Sequence, residues 1–170
     1  MIRLLNRNIF RLLFLVFFQV AILNKIELGG IINPYLYVLF ILLLPFETPK
    51  WLLLVVAFVC GLLVDMFSET AGLHSAACVL MAFCRPGILK IISSKQDYEA
   101  GMRPIIHDLG FKWFFSYSLL LVVIHHFLLF YLEVFSFYEF FQTFFRMLLS
   151  IIFTLALIIL SQYIMYRPNK

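Results

Sequence analysis

Apolar runs broken by few charges occupy most of this chain, and their lengths leave lipid as the only solvent that suits them. A helix needs about 20 mostly apolar residues to cross a hydrocarbon core about 30 Å thick. Hydropathy gives six candidate spans, at residues 9–28, 31–46, 49–67, 70–84, 113–132 and 144–166. The connections between them are short, so residues 1–170 are expected to form one integral membrane domain. Only 13% of the residues are charged, against roughly a quarter in an ordinary soluble domain. The expected fold is an all-α membrane protein, a bundle of six transmembrane helices.

The cations set an expected topology, because Lys and Arg near span ends collect on the cytoplasmic side. With the N-terminus inside, the inner segments hold Arg3, Arg7, Arg11, Lys50, Arg85, Lys90, Lys95, Arg103, Lys112, Arg167 and Lys170, and the outer ones hold Lys25 and Arg146. That division of 11 against 2 places both termini and the loop 85–112 in the cytoplasm. The fourth span is the shortest: residues 70–84 rise only about 22 Å as a helix. A re-entrant fourth segment would reverse the charge bias, so six crossings are expected. The basic start, Arg3 to Arg11, is followed by an apolar run without a small-x-small cleavage site after Leu23, which favours a permanent first helix over a signal peptide.

The net charge of +4 comes from singly scattered residues that form no dense basic face, so nucleic acid is not an expected partner. Cys60, Cys78 and Cys84 lie in apolar stretches without a C-x-x-C pair, as buried free thiols do. Thr48 and Pro49 read as the N-cap and first residue of the third helix. Arg85-Pro86-Gly87 reads as the end of the fourth, with 88–92 as a short interfacial piece. The stretch 93–110 is expected to be the longest water-exposed segment. Between Phe135 and Phe145 seven of eleven residues are aromatic, a composition suited to the headgroup region.

Polar groups at membrane depth are costly and point to function or to structural ties. Asp65 stands near the end of the third span, where a carboxylate opposes the dipole of its own helix. The fourth helix starts within a few residues, and its unpaired N-terminal amides are the expected donors to Asp65. A coupling role in ion or proton movement is the competing reading, weakened by the lack of a second carboxylate at that depth. Small residues four apart, Ala57 and Gly61 on the third run and Gly72 and Ala76 on the fourth, allow close backbone approach. Gly61, Asp65, Thr70 and Gly72 are thus the expected residues of a tight helical hairpin. His125 and His126 are adjacent, so on a helix they point about 100° apart. They are expected to be hydrogen-bonded packing residues that do not share one small site, and not metal ligands. Gln19 suits interhelical hydrogen bonding and Arg11 snorkelling to the inner surface. No P-loop, G-x-S-x-G, zinc motif or carboxylate cluster is present, so neither catalytic residues nor a metal or other cofactor are expected.

The run Gly61-Leu-Leu-Val-Asp65-Met-Phe-Ser-Glu-Thr70-Ala-Gly72-Leu-His74, preceded by Asn33-Pro34-Tyr35-Leu36 and a short second span, resembles the rod shape-determining protein MreD family. The motif-level resemblance covers about residues 33 to 86, with Asn33, Pro34, Gly61, Asp65 and Gly72 as its marks. It implies a non-catalytic scaffold subunit of the bacterial cell-elongation complex in the inner membrane, supporting lateral peptidoglycan synthesis and cell shape. The implied partners are a bitopic protein like MreC and, beyond it, an MreB-like filament and a glycosyltransferase–transpeptidase pair. The resemblance also implies a six-helix arrangement similar to the substrate-binding subunits of energy-coupling-factor transporters, so a vitamin-type transporter subunit is the alternative function. A membrane enzyme acting on a lipid-linked substrate is a third. Phe137, Phe140 and Phe141 are candidate contacts for the bitopic partner, with plain interfacial anchoring as the competing reading.

Overall fold

The computed structural model describes residues 2–26, 32–92, 98, 102–134 and 140–165, with side chains from residue 8 onward. Among them the regular structure is helical: α1 (Ile2–Ala21), the single turn α2 (Leu39–Leu42), α3 (Lys50–Ser68), α4 (Leu73–Ile92), α5 (Ile106–Leu109), α6 (Phe111–Val134) and α7 (Phe140–Met165). Five segments, 8–25, α3, α4, α6 and α7, are long and apolar enough to cross a membrane. The chain is a multi-pass membrane protein. α3 packs on α4, α4 on α6 and α6 on α7, while α1 lies against α3 and the turn at residues 36–42.

Each long helix buries one stripe at helical spacing and shows lipid the rest. On α3 the stripe is Leu53, Ala57, Cys60, Gly61, Val64 and Asp65; on α7 it is Thr143, Met147, Ser150, Ile151, Thr154, Leu155, Ile158 and Gln162. Polar side chains sit inside the bundle, whereas Phe10, Phe17, Trp51, Phe83, Ile91 and Phe141 are each more than 60% exposed. A soluble protein would aggregate through such a surface. In lipid it is the surface that needs no partner.

The second expected span is the one that differs most from a helix. Residues 34–44 are all buried, yet the chain here has no regular structure at 33–35, then a 3₁₀ turn (Leu36–Val38) and the single turn α2. Irregular backbone at membrane depth is tolerated only inside protein, where other groups meet its N–H and C=O. That is what surrounds it here. The Asn33 and Tyr35 amides donate to the hydroxyls of Ser150 (3.0 Å) and Thr154 (2.9 Å) on α7. Gln19 of α1 accepts from the Leu36 amide (2.8 Å) and donates to the Pro34 carbonyl (3.0 Å). Further along, the Tyr117 hydroxyl donates to the Leu42 carbonyl (3.1 Å), Arg11 to Leu43 (3.3 Å) and Arg85 to Leu44. The segment therefore runs inside the bundle from Ser150 and Thr154 of α7 to Arg85 of α4.

Several boundaries and roles differ from expectation. α4 does not end at Arg85-Pro86-Gly87 but runs through Pro86 to Ile92. Proline removes one helical hydrogen bond, and the last turns persist because Ile88 and Leu89 are buried in the core. The fourth helix is therefore 20 residues long. Arg85 is not an interfacial charge: it is 1% exposed and also donates to the Tyr117 hydroxyl at 2.7 Å. Arg11 reaches a buried carbonyl rather than only snorkelling. Pro49, not Thr48, holds the N-cap position of α3, and the Thr48 hydroxyl turns back to the Pro45 carbonyl (2.8 Å).

The connection between α4 and α6 is also less exposed, among its described residues, than its composition suggests. Pro104 and Ile105 are buried, and the Tyr98 ring stacks on Phe46 (4.1 Å between centroids) and meets Trp113 edge-on (5.9 Å). Beside them Arg103 clasps Asp108 through its backbone N–H and guanidinium, at 3.1 to 3.3 Å. Partial burial pushes the Asp108 carboxyl up, but the hydrogen bonds from Arg103 and His107 and the Arg103 charge outweigh it and hold it below the ordinary value.

Candidate functional site

The residues that carry the family resemblance gather where α3 turns into α4. Asp65 is 3% exposed and accepts four hydrogen bonds: from the backbone N–H of His74 (3.0 Å) and Ser75 (2.9 Å) and from the hydroxyls of Thr70 (2.6 Å) and Ser75 (2.6 Å). Two of the donors are first-turn amides of α4, which lack intrahelical partners, so the carboxylate caps the next helix and binds the hairpin together. The turn between needs Gly72 at φ 84°, a conformation a side chain would strain. Glu69, at φ 55°, ends α3 in the left-handed region.

Gly61 sets the distance that Asp65 needs. A Cβ there would lie 2.4 Å from the Ser75 Cα and 2.6 Å from the His74 carbonyl oxygen, so the helix backbones are in direct contact. The opposing small surface on α4 is Ser75, not the Gly72–Ala76 pair expected from spacing: Ala76 is exposed, and a Cβ on Gly72 would meet nothing. Ala57 is fully buried on the Gly61 face.

Above this clasp lies a cleft of about 410 Å³, lined among others by Asn24, Asn33, Tyr35, Glu69, His74 and Glu133. Asn33 and Pro34 are thus brought from the second segment to the same end as Thr70 and His74. The Asn24 amide ties α1 to Ser68 (2.9 Å) and receives a bond from Gln19 (2.9 Å).

Below the cleft the polar groups form a chain. The Tyr37 hydroxyl lies 2.8 Å from His74 Nδ1 and 2.8 Å from His125 Nε2. It has one proton, so it donates to one ring and accepts from the other. His125 Nδ1 is buried without a partner among the described residues. An unpaired lone pair there is milder than an unpaired N–H, which favours protonation of Nε2 and donation from His125 to Tyr37, with Tyr37 donating to His74. His126 uses Nδ1 towards the Val122 carbonyl (3.0 Å) and Nε2 towards the Thr154 hydroxyl (3.1 Å).

As the helical angle implies, the two histidines bond different partners, Tyr37 for His125 and Val122 and Thr154 for His126, though one aromatic ring touches both. The buried second segment fills the angle between them, so the Tyr35 ring meets His125 at 6.2 Å and His126 at 5.5 Å. Among the described residues no three His, Cys, Asp or Glu side chains stand where they could hold a metal ion. Cys60, Cys78 and Cys84 are free thiols.

Sequence reasoning missed Tyr37, Arg85, Tyr117, Ser150 and Thr154 as organisers of the interior. The only local signals were Pro34 and Pro45, which bracket a run too short to span comfortably as a helix. Of the aromatic candidates, Phe137 lies outside the described residues, while Phe140 and Phe141 open α7 and are 41% and 77% exposed. They belong to a helix rather than to a loop. No family model, curated protein or solved structure matches the chain.

Proposed function

We propose that this chain is a non-catalytic scaffold subunit of the bacterial cell-elongation complex, resembling the MreD family. The observation that carries this reading is how the polar groups at depth are used. Gln19, Arg11, Arg85, Tyr117, Ser150 and Thr154 bond the backbone of the buried second segment, and Asp65 bonds α4. Groups that serve a substrate stand open to it, whereas these stiffen the bundle from within. A rigid body with an apolar outer surface suits a part that positions other membrane proteins. Under this reading an MreC-like bitopic protein docks at the outer aromatic residues Phe137, Phe140 and Phe141, and an MreB-like filament and a glycosyltransferase–transpeptidase pair complete the assembly. Depleting the chain in its rod-shaped host is expected to widen and round the cells and to disperse lateral peptidoglycan labelling. Rods of unchanged width after full depletion would refute the proposal.

The proposed topology has six crossings, the second made by the buried broken segment, with both termini in the cytoplasm and the whole in the inner membrane. The distribution of Lys and Arg supports it, 10 inner against 2 outer once Arg85, buried inside α4, is left out of the count. In a cysteine-free background, a cysteine at Ala71 is expected to react with an impermeant thiol reagent added to whole cells, and one at Glu47 to react only after lysis. Labelling of position 47 in intact cells would remove the second crossing.

The cleft of about 410 Å³ favours one second reading, a substrate-binding subunit of a small-molecule transporter similar to those of energy-coupling-factor systems. Its volume and its convergent polar groups are those of a ligand pocket. Loss of uptake of a small solute on depletion, with cell width unchanged, is the result that would favour it over the scaffold.

A further inference from the structure

The lipid-facing side of the α3–α4 hairpin carries a groove whose two ends differ in chemistry. Its upper part, about 600 Å³, is walled by Phe58, Leu62, Val79 and Leu80. Its lower part, about 330 Å³, lies beside Pro86 and Gly87 and is flanked by Lys50 and Lys90. Leu54 and Phe83 line both parts, so the two adjoin along the hairpin.

Lys50 opens α3 and Lys90 stands in the last turn of α4. The helices are antiparallel, which sets both ammonium groups at one end of one groove. Both residues are exposed, and neither makes an ion pair or hydrogen bond with a described residue. Two exposed cations at a cavity mouth suit an anion. Gly87 keeps the floor open, since a Cβ there would meet nothing within 4 Å.

The rest of the groove says what the anion is attached to. From Lys50 to Leu62, α3 rises about 18 Å at 1.5 Å per residue. That is close to half of a hydrocarbon core about 30 Å thick, the depth that an acyl chain of one leaflet occupies. We propose that this groove is a site for one anionic phospholipid, with its phosphate between Lys50 and Lys90 and an acyl chain running towards Leu62. Basic pockets between membrane helices take such headgroups, and here the apolar walls exclude a free phosphate as the fitting occupant.

The test is native mass spectrometry of the purified chain in mild detergent, titrated with phosphatidylglycerol or with phosphatidylcholine of the same chains. Wild type is expected to retain one phosphatidylglycerol in preference to phosphatidylcholine. The double variant Lys50→Gln/Lys90→Gln is expected to lose affinity about 30-fold, the equivalent of about 1 kcal/mol for each lysine near an anionic surface. A control with the same change in net charge, Lys25→Gln/Lys112→Gln, should retain the lipid. Ala76→Leu, which fills the upper groove without altering charge, should weaken phosphatidylglycerol as well. Equal retention of both lipids by wild type, or equal phosphatidylglycerol affinity in the two double variants, would overturn the site. Displacement of the lipid by millimolar glycerol 3-phosphate would overturn the lipid as occupant and leave a soluble-phosphate site.

Discussion

Asp65→Leu is expected to lose most of the folded protein, as read by the monodisperse yield from detergent extracts, while Asp65→Asn keeps a reduced but measurable fraction. Leucine leaves the His74 and Ser75 amides without their acceptor and takes the partner from two hydroxyls. Two buried unpaired N–H groups cost on the order of 1–3 kcal/mol each, and lost bonds to a charged acceptor add to that. A native state about 5–15 kcal/mol deep does not absorb such a loss easily. Asparagine keeps one acceptor oxygen but turns an NH₂ towards another donor, so its cost is intermediate. If both variants accumulate as wild type does and only cell shape fails, Asp65 acts in function and not in holding the hairpin.

Gly61→Ala is expected to destabilise nearly as strongly, because the added Cβ meets backbone rather than a side chain that could rotate away. Overpacking of this kind costs typically 1–3 kcal/mol, occasionally more. Its relief requires α4 to move off α3, and that same movement stretches the bonds from Asp65 to the His74 and Ser75 amides. The two sites are therefore coupled: the double variant Gly61→Ala/Asp65→Asn should lose less stability than the sum of the singles. Gly87→Ala, with open space at its Cβ and a helical backbone, should be neutral or slightly stabilising. Additive losses in thermal unfolding of the purified variants would separate the tight approach from the carboxylate clasp.

What could be read in the sequence depended on how far away each answer lay. Asp65 meets amides nine and ten residues downstream, so the dipole argument and the nearness of the next helix were enough to place its partners. The lengths of the apolar runs likewise located α3, α6 and α7 to within a few residues. The second segment was different. Its backbone is satisfied by side chains 17 residues away at Gln19 and 119 away at Thr154, and no local pattern encodes that. Hydropathy therefore returned a short helix where the chain is broken and fully enclosed. Pro86 was misread for a related reason: its local cost argues for a stop, while the burial of Ile88 and Leu89 that offsets it is a tertiary fact. Four-residue spacing found Gly61 but mis-set its opposite number, since facing requires the rotation of α4 as well as the spacing.

The scaffold reading makes its sharpest claim about association. Apolar surface gives no driving force between helices in lipid, so shape and aromatic anchors must supply it. Phe140 and Phe141 are exposed on the first turn of α7 and are the anchors that the proposal assigns. The measurement is copurification from the host membrane in mild detergent, comparing the wild-type chain with a Phe137→Leu/Phe140→Leu/Phe141→Leu variant at equal expression. The scaffold account predicts that wild type brings down a bitopic, MreC-like protein and that the variant inserts normally but brings down several-fold less. Equal recovery by both would remove the aromatic contact, and no such partner with wild type, under conditions that preserve other membrane complexes, would contradict the scaffold itself.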